Sequence, residues 1–223
     1  MLQNMTEGEP LKLILPFMVP LLIGNVFQQL YNIADVVIVG RTIGVEALAA
    51  VGSVTPLFMM TMVLTIGLSN GCTVVTGQRY GAGDMDGMRR SIGTCTVLSV
   101  LFTLLIMLVF HIIIDPALVL MNIPLELLED AKAYVMIIVD GLFAMMGYNL
   151  LSGIMRSLGD SKTPLYFLIV SSVVNIALAL FFILVLGWGV PGSAVALVIA
   201  QAISAILCLA YIYRRFPQLH ISR

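Results

Sequence analysis

Charge is scarce in this sequence. Of 223 residues, 11 are Lys or Arg and 12 are Asp or Glu, 10% in all, where a soluble domain carries about 25%. With 60% hydrophobic residues and a mean hydropathy of +1.07, the chain reads as an integral membrane protein. A net charge of −1 removes the electrostatic case for nucleic acid. Histidine occurs twice, as His111 and His220, neither near a plausible nucleophile. The three cysteines, Cys72, Cys95 and Cys208, fall in apolar segments without a CxxC or a Cys/His cluster. They read as small packing residues, not as a disulfide frame or a metal site. HExxH, GxSxG and P-loop patterns are missing, so an intramembrane enzyme is the least supported reading. The first apolar run is long and lacks a small-residue cleavage site, so it is expected to be retained.

What the sequence has is apolar segments. Six can each span the roughly 30 Å of hydrocarbon that needs about 20 residues: 13–39, 47–76, 91–114, 131–155, 164–186 and 190–213. This predicts an all-α, six-helix transmembrane bundle over 13–213, with a segment 1–12 before it and a tail or linker 214–223 after it. The second and fourth segments exceed the minimum, which implies tilt or extension. Gly187–Gly189 forces the last two into a tight hairpin. Lys and Arg distribute nine to two between the two sides, the minority being Arg41 and Lys132. That places both termini in the cytoplasm of a plasma or inner membrane. Residues 115–130 then form an external loop.

The first segment carries a polar line. Gln28, Asn32 and Asp35 follow i, i+4, i+7 spacing, and Asn25 extends the same face. An acid inside a span costs roughly 2.5–3.5 kcal/mol on the insertion scale and faces water or the bundle interior. The other intramembrane acid is Asp140, eight residues past Lys132, about 12 Å along a helix. Both acids fall toward the outer side, where they share a cavity in this reading, with no basic residue in the spans to neutralise them. Asn149, Asn175 and Gln201 add polar groups to the fourth, fifth and sixth segments. A carboxylate held there exchanges a proton or binds a cation such as Na⁺, which is the physics of ion coupling.

Two loops resemble each other: Arg79-Tyr-Gly81-Ala-Gly-Asp84 and Arg156-Ser-Leu-Gly159-Asp160. In each an Arg ends a helix, a glycine permits a left-handed stop, and an Asp caps the next helix. They are either topological punctuation or gating motifs. Pro164 suits the first turn of the following helix.

The stretch PFMVPLLIGNVFQQLYNIADVVIVGRTIGVEALAAVGSVTP, with GQRYGAGD at 77–84, MRSLGDSKTP at 155–164 and GWGVPGSAVALVIAQ at 187–201, resembles the N-terminal lobe of the multidrug and toxic compound extrusion (MATE) family. The resemblance covers essentially the whole chain. It implies one six-helix lobe of a two-lobe alternating-access transporter, which exports small cationic or amphipathic organic compounds against inward H⁺ or Na⁺. The family's first-helix acid maps onto Asp35. Its fifth-helix Asn-x-x-x-Asp reads Asn175-Ile-Ala-Leu-Ala179, so one carboxylate is missing, and Asp140 is the candidate substitute. The sixth-helix hydroxyl position is Leu197. The expected partners are the bilayer, an organic substrate and a second six-helix lobe. Two further readings stay open: an inactive or regulatory lobe that only packs against a partner, and a flippase of related fold for a lipid-linked precursor, which favours a basic cavity.

Overall fold

The computed structural model describes residues 9–216, apart from the side chains of Pro10, Tyr31 and Asn32. The segment 1–12 and the tail 214–223 lie largely outside the described residues, as does His220. Among the described residues the chain is helical, with no strand: α1 (Pro10–Thr42), α2 (Val45–Gly81), α3 (Met85–Leu120), α4 (Leu125–Asp140), α5 (Leu142–Ser157), α6 (Lys162–Leu180) and α7 (Gly189–Arg215). A five-residue π-helical turn, Phe181–Val185, extends α6. Five helices are long and apolar enough to cross a membrane, and α4 with α5 makes a sixth, broken span. The expected all-α, six-span bundle is the observed one.

Two boundaries differ from the sequence reading. Residues 115–130 are not a loop: α3 runs on to Leu120 and α4 begins at Leu125. Pro116 does not stop α3, because a helix in lipid tolerates proline where neighbouring groups satisfy the freed carbonyl. The fourth segment is not one helix either. It bends by 45° where α4 ends at Asp140 and α5 begins at Leu142. Gly141 sits at the bend, and a methyl group there would overlap the Val198 side chain of α7. The absence of a side chain lets the two backbones approach.

Two apolar clusters hold the bundle together. One joins α2, α3, α4 and α7 through residues such as Val54, Phe110, Leu118, Ile138 and Val190. The other lies toward the opposite end around Met88, Leu150, Met155, Leu158 and Phe216, and buries all three cysteines. The α6–α7 hairpin closes as expected. Ser171 Oγ donates to Ala200 O at 2.8 Å and Ser204 Oγ to Phe167 O at 3.3 Å. At its tip Trp188 stacks on Phe182 with ring centroids 5.0 Å apart. α1 packs mainly against α6 and leaves most of its surface outside the bundle.

Candidate functional site

Glycine and aspartate shape the two similar turns. In the first, the left-handed residue is Gly83 (φ 73°), while Gly81 is still helical. The left-handed glycine expected in this turn is therefore the second of its two, and Ala82 and Gly83 separate the helix end from its cap. Asp84 accepts the Gly87 amide at 2.8 Å and takes Arg79 at 2.9 Å. The Gly87 N–H, followed by the Arg79 guanidinium, holds the Asp84 carboxyl below its ordinary value. In the second turn Gly159 is left-handed (φ 88°) as expected. Asp160 accepts the Thr163 amide at 3.0 Å, the Thr163 hydroxyl at 2.7 Å and the Tyr211 hydroxyl at 3.1 Å.

The polar line of α1 meets α5 and α6. Asn25 and Gln28 line a cavity of about 80 Å³ together with Tyr148, Asn149, Ser152 and Arg156. Three of the residues assigned to a cavity from the sequence thus come together. Gln201 does not line it. The side chain of Asn32 lies outside the described residues.

A second group of polar atoms lies on α1, α6 and α7, which pack on one another. Asn175 is 1% exposed, and neither its amide nitrogen nor its oxygen has a partner among the described residues. The same holds for Asp35 Oδ1, Ser193 Oγ and Gln201 Oε1. A buried polar group without a partner costs about 1–3 kcal/mol, and five of the seven such side-chain atoms among the described residues fall on these three helices. Asp35 sits seven residues before the end of α1 at Thr42, about 10 Å along the axis. It is also within electrostatic reach of Tyr134 on α4. Ala179, one turn after Asn175, is fully buried, so no carboxylate of α6 reaches this region.

Asp140 is elsewhere. Its side chain is 57% exposed and faces α3, where His111 Nε2 lies 3.4 Å from its carboxyl oxygen. The structure therefore does not bring the two acids into one cavity, and Asp140 does have a basic neighbour. The expectation failed because α1 and α3 lie on different sides of the bundle, which helix depth alone cannot tell. His111 Nδ1 lies 2.8 Å from Met107 O and so carries a proton. Nearer the turn between α3 and α4, Lys132 on α4 bonds Asp115 on α3.

The sequence reading missed Ser193 and a hydroxyl stripe on α2. Thr61, Thr65, Ser69 and Thr73 each donate to the carbonyl four residues earlier, at 3.0, 2.8, 2.9 and 2.8 Å. The i, i+4 spacing was the available signal. The stripe lets α2 bury hydroxyls against α5, with Ser69 Oγ 3.5 Å from Met146 Sδ.

The site is thus a set of unpartnered amides, an acid and an arginine within a multi-pass helical bundle. The MatE family model matches residues 20–181, and the chain belongs to that family. It is 35% identical over 205 residues to "Probable multidrug resistance protein YoeA" of Bacillus subtilis, covering 89% of this chain and 44% of that protein. It is 29% identical over 211 residues to "Probable multidrug resistance protein YpnP" of the same organism, covering 95% and 47%. A solved multidrug resistance MATE family transporter in an outward-facing conformation superposes with a TM-score of 0.91 at 30% identity, covering 98% of this chain and 49% of that one. The chain spans about half the length of the relatives it matches.

Proposed function

We propose that this chain is one lobe of a secondary transporter that exports small organic compounds, cationic or amphipathic, across the plasma or inner membrane. A second six-helix lobe, on the same or another chain, closes the pathway, and inward movement of H⁺ or Na⁺ drives it by alternating access. The excess of Lys and Arg at the end carrying the 82–84 and 158–161 turns makes that end cytoplasmic, with both termini. One observation carries the reading: Asp35, Asn175, Ser193 and Gln201 present unpartnered polar atoms on three mutually packed helices. Each offers an oxygen, the ligand type hard cations take, and the single carboxylate balances one monovalent cation or one proton. The names of the relatives support organic compounds as cargo. In the cycle Asp35 holds the proton or cation, and Asn175 orients it. Release of that ion to one side changes the charge on α1, and the change favours one lobe arrangement over the other.

The test is efflux of a fluorescent organic cation from cells carrying this chain with a candidate second lobe. Asp35→Asn keeps the size and removes the charge, and is expected to reduce export at least tenfold. Full export by the variant overturns the coupling role. Equal dye retention with and without the chain favours the inactive or regulatory lobe, a reading supported by Ala179 in place of the second carboxylate.

A further inference from the structure

We propose that Arg156, with the amides of Asn25 and Gln28, forms a subsite for an anionic oxygen group, a carboxylate or a phosphate, at the end of the bundle carrying the 158–161 turn. The two similar turns show why. Arg79 in the first turn is neutralised by Asp84 at 2.9 Å. The matching acid of the second turn, Asp160, is 8% exposed and already takes three hydrogen bonds, from Thr163 and Tyr211. Among the described residues no carboxylate lies within ion-pairing distance of Arg156. Its electrostatic neighbours are Tyr148 and Cys208, groups neutral at physiological pH.

Arg156 therefore lines the cavity as a half-buried cation without a counter-charge. That is a costly arrangement unless something negative enters. A guanidinium presents a planar fork of donors that matches two oxygens of a carboxylate or phosphate. Across the cavity, the amides of Asn25 and Gln28 on α1 have no hydrogen-bond partner among the described residues. Three other polar side chains are committed: Asn149 Nδ2 to Met145 O at 2.8 Å, the Tyr148 hydroxyl to Pro164 O at 3.4 Å and the Ser152 hydroxyl to Asn149 O at 3.1 Å. Among the described residues the free donors lining the cavity are thus one guanidinium on α5, two amides on α1 and the Ser161 hydroxyl before α6. A volume of about 80 Å³ suits a single charged group and not a whole drug-sized molecule. The site grips one end of a compound, or a lipid headgroup, whose remainder lies outside it. For an exported compound this rests on the transporter reading above and extends it, adding an acceptor for a negative group some way from Asp35.

The test measures binding and not transport, so its failure is separable from failure of the export reading. The purified full chain, in neutral detergent, is titrated with inorganic phosphate and with acetate at constant ionic strength, and thermal unfolding is followed. In parallel it is placed in nanodiscs of phosphatidylcholine with or without phosphatidylglycerol, and retained lipid is counted by native mass spectrometry. A saturable rise in Tm with phosphate or acetate, weakened at least tenfold in Arg156→Gln and partly kept in Arg156→Lys, supports a subsite open to soluble anions. Retention of phosphatidylglycerol alone, lost in Arg156→Gln, supports a lipid headgroup. Arg79→Gln, which removes a charge from the other turn, leaves binding within twofold in either case. No binding of any probe, or equal binding by Arg156→Gln, overturns the proposal. If Arg156→Gln does not fold, Gln28→Leu decides: at least threefold weaker binding supports the subsite, and unchanged binding overturns it.

Discussion

Asp84 and Asp160 occupy matching places after matching helices, yet their surroundings differ. Asp84 bonds the first turn of α3 and Arg79 at the surface. Asparagine is as good a cap as aspartate, so Asp84→Asn is expected to lower Tm less than Asp84→Ala. The pH dependence has a definite sign. The Asp84 carboxyl titrates below its ordinary value in the folded chain. The advantage of wild type over Asp84→Ala is therefore full above about pH 4. It fades as pH falls through the lower, folded value, and thermal melts across that window check it. At Asp140 the expectation is different. Because it faces His111 on the outside of the bundle, Asp140→Asn should leave dye export within about twofold of wild type. A tenfold loss in the efflux assay would return it to the coupling machinery. That Asn25 and Gln28 share one face of α1 was legible in their spacing, and both line the same cavity. The partners of Asp140 and Arg156 were not, because they come from helices remote in sequence whose rotation only packing determines.

Hydropathy located every span, since each must satisfy its backbone within the hydrocarbon. It did not locate the break at Gly141, because a bend leaves the apolar count unchanged. Glycine at 141 was visible in the sequence, but Val198 opposite it was not. Gly141→Ala drives a methyl into Val198 and is expected to destabilise by about 1–3 kcal/mol, the range for overpacking. Val198→Ala should restore most of that loss in the double variant, as read by thermal melts. The α6–α7 hairpin offers a complementary case. Ser171→Ala removes the buried bond to Ala200 O, an expected loss of about 1 kcal/mol. The helix ends at 115–130 were misplaced for a related reason. Asp115 reads as a loop residue, but it pairs with Lys132 across α3 and α4 and remains helical.

At the scale of the whole molecule, α1 is the least enclosed helix, with 11% of its span buried. A second lobe would be expected to slow amide exchange along α1 and α2 more than along α3, and hydrogen–deuterium exchange with and without that lobe checks this. The same packing has a consequence for biogenesis. The main partner of α1 is α6, whose first residue, Lys162, follows Thr42 by about 120 residues. At about 5–20 residues per second of synthesis, roughly 6–24 s pass between completing the first helix and starting its neighbour. For that interval α1 stands in the bilayer beside lipid or the insertion machinery, carrying Asp35 without the helix against which it finally rests. The ribosome's pace thus fixes a waiting time that the finished bundle no longer displays.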